Sequence, residues 1–184
     1  MILKPRTTCR ICNSTQLSTI MSLGDQHIAA YTPRASDPNP ILDKFPLELI
    51  RCTEPDCGLV QLRHSTPGNV LYERYFYRSG INKTMTENLK EIAMQAISKV
   101  ELQDNDIVLD IGCNDGSLLK NYQGKNLRSV GIDPAKNMAE FSKECGADII
   151  VDYFNSKSFT DHYSDEKAKI ITSISMFYDS EDPN

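Results

Sequence analysis

No stretch of this sequence approaches the ~20 apolar residues that a membrane-spanning helix needs. The opening residues, MILKPRTTCR, contain no apolar run long enough to act as a signal peptide. These two absences make a cytoplasmic protein with no membrane partner the expectation. Excess positive charge is also lacking. The net charge is −5, which argues against the basic surface that binding a phosphate backbone requires, so nucleic acid is not the expected partner. A secretory context being absent, the six cysteines are not expected to form a disulfide framework. With 184 residues, 40% hydrophobic and 24% charged, the chain has ordinary globular composition and room for one domain or two small ones.

The placement of the cysteines is informative. Four lie in the first third, as Cys9-Arg-Ile-Cys12 and Cys52-Thr-Glu-Pro-Asp-Cys57, whereas Cys113 and Cys145 stand alone. Both spacings allow a tight turn to aim two thiolates at one tetrahedral ion. Gly58, directly after Cys57, suits the positive φ that closes such a turn. Cys9, Cys12, Cys52 and Cys57 are therefore the expected ligands of a structural zinc ion, with no position left open for catalysis. Unrelated buried cysteines account less well for two close pairs. A redox role for Cys9 and Cys12 lacks the strand-to-helix setting of a thioredoxin motif. His27 and His64 could substitute as ligands but lie outside both pairs. Between the pairs, Thr32 to Pro40 reads as a surface loop with three prolines. Phe45–Ile50 alternates like a strand entering the second pair, and Leu59–Leu62 like a strand leaving it.

From Tyr72 to Gly80 the chain packs three tyrosines and two arginines into one short segment. It could line a pocket with hydroxyl and guanidinium donors, or it could be a packing surface between domains; composition does not choose. Thr84-Met-Thr-Glu87 has the spacing of a capping box. Leu89, Ile92, Ala93, Ala96, Ile97 and Val100 then recur on one face of a helix that should pack against the next unit.

Beyond residue 104 strands alternate with helices. Strands are expected at Ile107–Leu109, Ser129–Ile132, Asp148–Val151 and Ile170–Ile174. Helices are expected over Ser117–Tyr122 and from Pro134, in a first turn, to a stop at Gly146. The class is α/β with a parallel, doubly wound, Rossmann-like sheet, whose ligands bind at the carboxyl ends of the strands. DIGCNDG (Asp110 to Gly116) lies at that end of the first strand. Gly112 would let backbone approach a ligand closely, and Gly116 would let the loop enter its helix. Asp133, ending the second strand, can accept hydrogen bonds from both hydroxyls of a ribose, or can cap the turn before Pro134. The loop is not G-x-G-x-x-G, so the dinucleotide fingerprint is only partly met and a nicotinamide-dependent oxidoreductase is disfavoured.

In their order along residues 9 to 140, FPLELIRC with CGLVQL, YERYFYRSGINKTM, DIGCNDGSLL and GIDPAKNMAE resemble the zinc-containing, S-adenosylmethionine-dependent sugar C-methyltransferases that act on nucleotide-linked deoxysugars. The resemblance implies a zinc-binding module at 1–70, a tyrosine-rich linker and amphipathic helix at 71–103, and the first four strands of a class I methyltransferase sheet at 104–184. It implies that Asp110, Gly112, Asn114, Asp115 and Gly116 surround the methionine moiety and ribose of S-adenosylmethionine. Asp133 would bind the ribose hydroxyls with Pro134 beside it, and Phe154 would sit near the adenine. Tyr75 and Tyr77 would face the methyl-transfer pocket. Cys113 stands where a small or hydroxyl residue is expected and is not a nucleophile candidate. The implied acceptor is a small molecule, a nucleotide-linked keto sugar; the oligomeric state is not implied.

Family members continue for about as long again, and the residues resembling a catalytic base lie in that later part. The expectation is a chain that stops before its own base, with cofactor binding and part of the pocket as its share of the reaction. His162, in a polar stretch, is no substitute. Two other readings stay open: a methyltransferase for a different small molecule, and a non-catalytic module that binds zinc and nucleotide.

Overall fold

In the first third of the chain β-branched and leucine-rich runs flank the cysteine pairs and form an antiparallel sheet. The computed structural model describes residues 3–29, 31, 33–38 and 40–183. It divides into one unit running to Leu71 and including the segment from Tyr178, and a second, Tyr72–Phe177. In the first unit β1 (Leu17–His27), β2 (Lys44–Cys52) and β3 (Val60–Leu62) pair in the order β1-β2-β3. The two expected strands are therefore present, one longer at both ends and the other one residue shorter. Register sets Leu17 opposite Cys52, which carries the residues after the first cysteine pair to the second. The core is thin: Cys9, Phe45, Ile50, Cys52 and Gln61 are the buried side chains among the described residues, and β1 is exposed along almost its whole length. In the expected loop, Thr32 and Asn39 lie outside the described residues; the others form no helix or strand. A single turn, α1 (Gly68–Leu71), closes the unit.

The second unit is built on β4 (Ile107–Ile111), β5 (Arg128–Ile132), β6 (Asp148–Ile150) and β7 (Ala168–Ser173). They form a parallel sheet in the order β6-β5-β4-β7. Every residue of β4 is buried, as a central parallel strand covered on both faces requires. Its side chains alternate. Val108 packs with Leu89 and Ala93 of α2 (Lys83–Lys99) on one face. Ile107, Leu109 and Ile111 pack with Phe159 of α4 (Ser156–Tyr163) on the other. Burying side chains of this size stabilises by about 1.5–3 kcal/mol each. The helical stripe read from the sequence is this contact: Ile92, Ala96, Ile97 and Val100 lie half-buried against the same cluster.

Three local expectations need correction. The cap of α2 is Asn82, whose side chain accepts from the Met85 amide at 3.1 Å, so Thr84 lies inside the first turn. Asparagine in extended backbone outcompetes threonine as a cap. Ser117–Tyr122 is not an α-helix; Leu119–Tyr122 form one 3-10 turn, both end residues buried, before the left-handed Gly124. Pro134 lies in a turn ahead of α3 (Ala139–Lys143) and not in its first turn, while Gly146 does follow its end with φ +71°. Among the described residues no helix is long and apolar enough to cross a membrane.

Candidate functional site

The four cysteines meet. The sulfurs of Cys9, Cys12, Cys52 and Cys57 all lie within 4.8 Å of one another. Cys9 to Cys57 and Cys12 to Cys52 are each 3.6 Å. A tetrahedral zinc with bonds near 2.3 Å sets its sulfurs about 3.8 Å apart, so the donor set and its spacing fit that ion. Each pair sits on a tight turn. The Asn13 amide donates to the Cys9 carbonyl at 2.9 Å with Asn13 left-handed, and the Cys57 amide donates to the Glu54 carbonyl at 3.1 Å ahead of Gly58, φ +65°. Neither His27 nor His64 joins the cluster. Without a cation the thiols compete. Burial opposes ionisation of Cys9, but amides of Cys12 and Ile11 and the neighbouring thiols hold it down at about 6. The Glu54 amide favours the Cys52 thiolate, but burial and the adjacent sulfurs push it up to about 12. A divalent ion removes this conflict by taking the place of the protons.

The second cluster lies at the carboxyl ends of the parallel strands. β5 and β6 run out to one side of β4 and β7 to the other, so the order reverses beside β4, where doubly wound sheets bind ligands. Asp110 is 4% exposed and accepts from the Thr172 hydroxyl at 2.7 Å. Burial, opposed by that hydrogen bond and aided by Asp133, pushes its pKa up to about 7. The native state thus holds a proton that the unfolded chain releases near pH 4. Stability of this unit should fall as pH rises from about 4 to about 7 and level off above. Asp110→Asn keeps an acceptor for Thr172 and should flatten that slope; urea midpoints across the range, variant against wild type, measure the difference.

Asp133 is half-buried at the end of β5. Its two oxygens accept from the amides of Asn114 and Ala135, each at 2.8 Å. The bond to Ala135 is the turn-capping role, and it coexists with ligand capacity: each carboxylate oxygen has a second lone pair. Burial raises its pKa, against both amides. Pro134 is half-buried beside it, and Phe154 presents an exposed ring beyond β6. Gly112 and Gly116 both have φ +74°. A Cβ on Gly112 would meet Met176 Cγ at 2.9 Å, so Met176 borders the space at this glycine. A Cβ on Gly116 would lie 2.7 Å from Cys145 Sγ and 3.2 Å from the Ser142 backbone. Gly116→Ala should therefore cost about 1–3 kcal/mol in denaturant unfolding, by overpacking a left-handed position.

Asn114 and Asp115 turn toward the tyrosine-rich segment. Asn114, left-handed at φ 51°, donates from Nδ2 to the Tyr77 carbonyl at 2.9 Å and accepts the Ser79 amide at 3.0 Å. Asp115, 2% exposed, accepts from the Gly80 amide at 2.8 Å and the Ser117 hydroxyl at 2.7 Å, with Arg78 Nε at 3.6 Å. The Arg78 guanidinium lies 3.6 Å from the Phe141 ring centroid. Asn137 grips the segment again: it accepts the Tyr75 amide at 2.9 Å and donates to the Tyr75 carbonyl at 2.7 Å. Tyr75 is half-buried, 5.4 Å from the Phe76 ring, and Tyr77 is 38% exposed. Asn137 was not legible as a site residue in the sequence; no motif spacing connects it to Tyr75.

Comparison with known proteins finds matches to two regions of the chain. Residues 9–72 match a family described as "Putative zinc binding domain", and residues 109–184 match "Methyltransferase domain". The chain is 27% identical over 149 residues to the C-methyltransferase NovU of Streptomyces niveus, covering 81% of this chain and 35% of that protein. It thus spans about a third of the relative's length. Two solved structures are similar in part. Mycolic acid cyclopropane synthase CmaA1, complexed with S-adenosylhomocysteine and CTAB, is 20% identical over 54% of this chain and 37% of its own, TM-score 0.38. A methyltransferase of Geobacter sulfurreducens in complex with S-adenosylhomocysteine is 17% identical over 57% of this chain and 41% of its own, TM-score 0.36. The four-cysteine cluster thus lies within the region that matches a zinc-binding family, and the loop after β4 with β5–β7 within the region that matches a methyltransferase domain.

Proposed function

We propose that this chain binds S-adenosylmethionine and presents its methyl group to a small-molecule carbon acceptor. The observation that carries the reading is Asp133, a half-buried carboxylate with spare lone pairs, at the end of β5 beside the glycine loop of β4. Such a carboxylate can accept both ribose hydroxyls of the cofactor. Asp110, Gly112, Asn114 and Gly116 would border the cofactor from the β4 loop, Pro134 adjoins Asp133, and the exposed Phe154 ring can stack on an aromatic base. Asp115 contributes from behind, holding the loop to the segment that carries Tyr75 and Tyr77. When bound, the cofactor supplies an electrophilic methyl group on a sulfonium. The chain's own residues would orient it toward the acceptor carbon.

A nucleotide-linked keto sugar is the acceptor we favour, on the similarity to a C-methyltransferase and on the tyrosine-rich segment. A ketone beside the reacting carbon would acidify its proton. Tyr153 is not suited to remove it at neutral pH, since burial and then Glu73, Asp133 and Asp152 raise its phenol. Calorimetric titration of the zinc-loaded chain with S-adenosylhomocysteine tests the reading. Saturable binding at one site is the expected result; a folded, zinc-bearing chain that takes up none would reduce it to a structural module.

A further inference from the structure

The segment Tyr72–Gly80 is held through its backbone. Asn137 makes a two-bond amide pair with Tyr75, and Asn114 makes another across Tyr77 and Ser79. Asp115 takes the next amide, Gly80, and the Lys136 amide donates to the Glu73 carbonyl at 3.1 Å. These bonds run from the loop after β4 to the loop after β5, so the segment lies as a strap across both. The strap runs close to the β4 loop at Gly80, where a Cβ would stand 2.7 Å from Asp115 Oδ2. Asn114 belongs to both networks: its side chain grips the strap while its amide donates to Asp133 at 2.8 Å.

Left-handed backbone is unfavourable for a residue other than glycine. Two hydrogen bonds to the strap offset that cost at Asn114. An undocked strap would therefore release Asn114 from the conformation that aims its amide at Asp133. We propose that Asn137 and Asn114 are positioning residues for cofactor binding: by gripping the strap's backbone they fix Tyr75 and Tyr77 over the β4 and β5 loops, and strap docking and cofactor binding strengthen each other. The inference rests on the reading above that Asp133 holds the cofactor. Linkage then requires reciprocity: whatever factor the docked strap adds to cofactor affinity, the cofactor adds to strap docking.

Asn137→Ala is the test, because Asn137 bonds to the strap and touches neither Asp133 nor the glycine loop through any of the hydrogen bonds above. Amide hydrogen exchange at Tyr75, Ser79 and Gly80 should accelerate in the ligand-free variant by more than any shift of its urea midpoint accounts for. Affinity for S-adenosylhomocysteine should fall three- to tenfold, and the same ligand should slow exchange of the strap in the wild type by a similar factor. Asn137→Asp, which keeps the acceptor for Tyr75 and loses the donor, should recover part of both effects. Unchanged affinity in Asn137→Ala, or strap exchange indifferent to ligand, overturns the inference while leaving the cofactor site intact. A wild type that binds no S-adenosylhomocysteine overturns the cofactor reading and this coupling together; the ligand-free exchange still reports whether Asn137 holds the strap.

Discussion

Serine in place of Cys52 should strip the chain of zinc and unfold the β1–β3 sheet. The first unit buries Phe45, Ile50 and Gln61 besides two of its own ligands, Cys9 and Cys52. A core that small supplies at most a few kcal/mol against the entropy of ordering its chain. Apparent binding energies of structural zinc run to about 10–16 kcal/mol in small metal-folded modules, so the ion decides whether this unit folds. Serine is a poor zinc ligand at neutral pH and leaves three sulfurs around an incomplete tetrahedron. Metal per chain should drop from about one equivalent to near zero, and amide protection along Lys44–Cys52 should vanish. Chelation of the wild type should do the same, while β4–β7, with its own two clusters, stays protected. Zinc held at full stoichiometry by the serine variant, or β2 still protected without metal, would sink the assignment.

Asp133→Ala should abolish measurable binding of S-adenosylhomocysteine. A carboxylate accepting two hydroxyls makes two charge-assisted hydrogen bonds, each worth about 1.5–3 kcal/mol. Losing both corresponds to about a hundred-fold to ten-thousand-fold in affinity. The substitution also strands the amides of Asn114 and Ala135, which now donate to this carboxylate. The variant's urea midpoint and the exchange of Asn114 must therefore be measured alongside. Lost binding with a retained midpoint attributes the effect to the ligand contact. Affinity within threefold of wild type would show that the ribose, if bound, is held elsewhere.

What the sequence disclosed was whatever leaves a local trace. Cys9/Cys12 and Cys52/Cys57 are paired by turns a few residues long, so their spacing carries the geometry. The buried β4 and its glycine loop announce themselves by an apolar run broken by Asp110 and Gly112. β1 carries little such trace: ten of its 11 residues are exposed, so no alternation marks its length. The Thr84 spacing misled because Asn82, two residues earlier, is the better acceptor for the first free amides of α2. The strap contacts were hidden for a different reason. Asn137 meets Tyr75, 62 residues away, through side chain to backbone, and such a pairing imposes no periodicity and no complementary residue type on its partner. Asp115 illustrates the same limit: its place in DIGCNDG is readable, but its commitment to Gly80 and Ser117 comes from the fold.

Because the asparagines read peptide groups and not side chains, the seam is indifferent to which rings it displays. Phe76 and Tyr77, both exposed, can be exchanged without redesigning what holds them, much as type can be changed in a fixed frame. Selection, or a designer, can alter the face offered to an acceptor at these positions while the grip of Asn114 and Asn137 stays as it is. Diversity among descendants of this chain should therefore concentrate at the displayed rings and spare the two asparagines and Gly80.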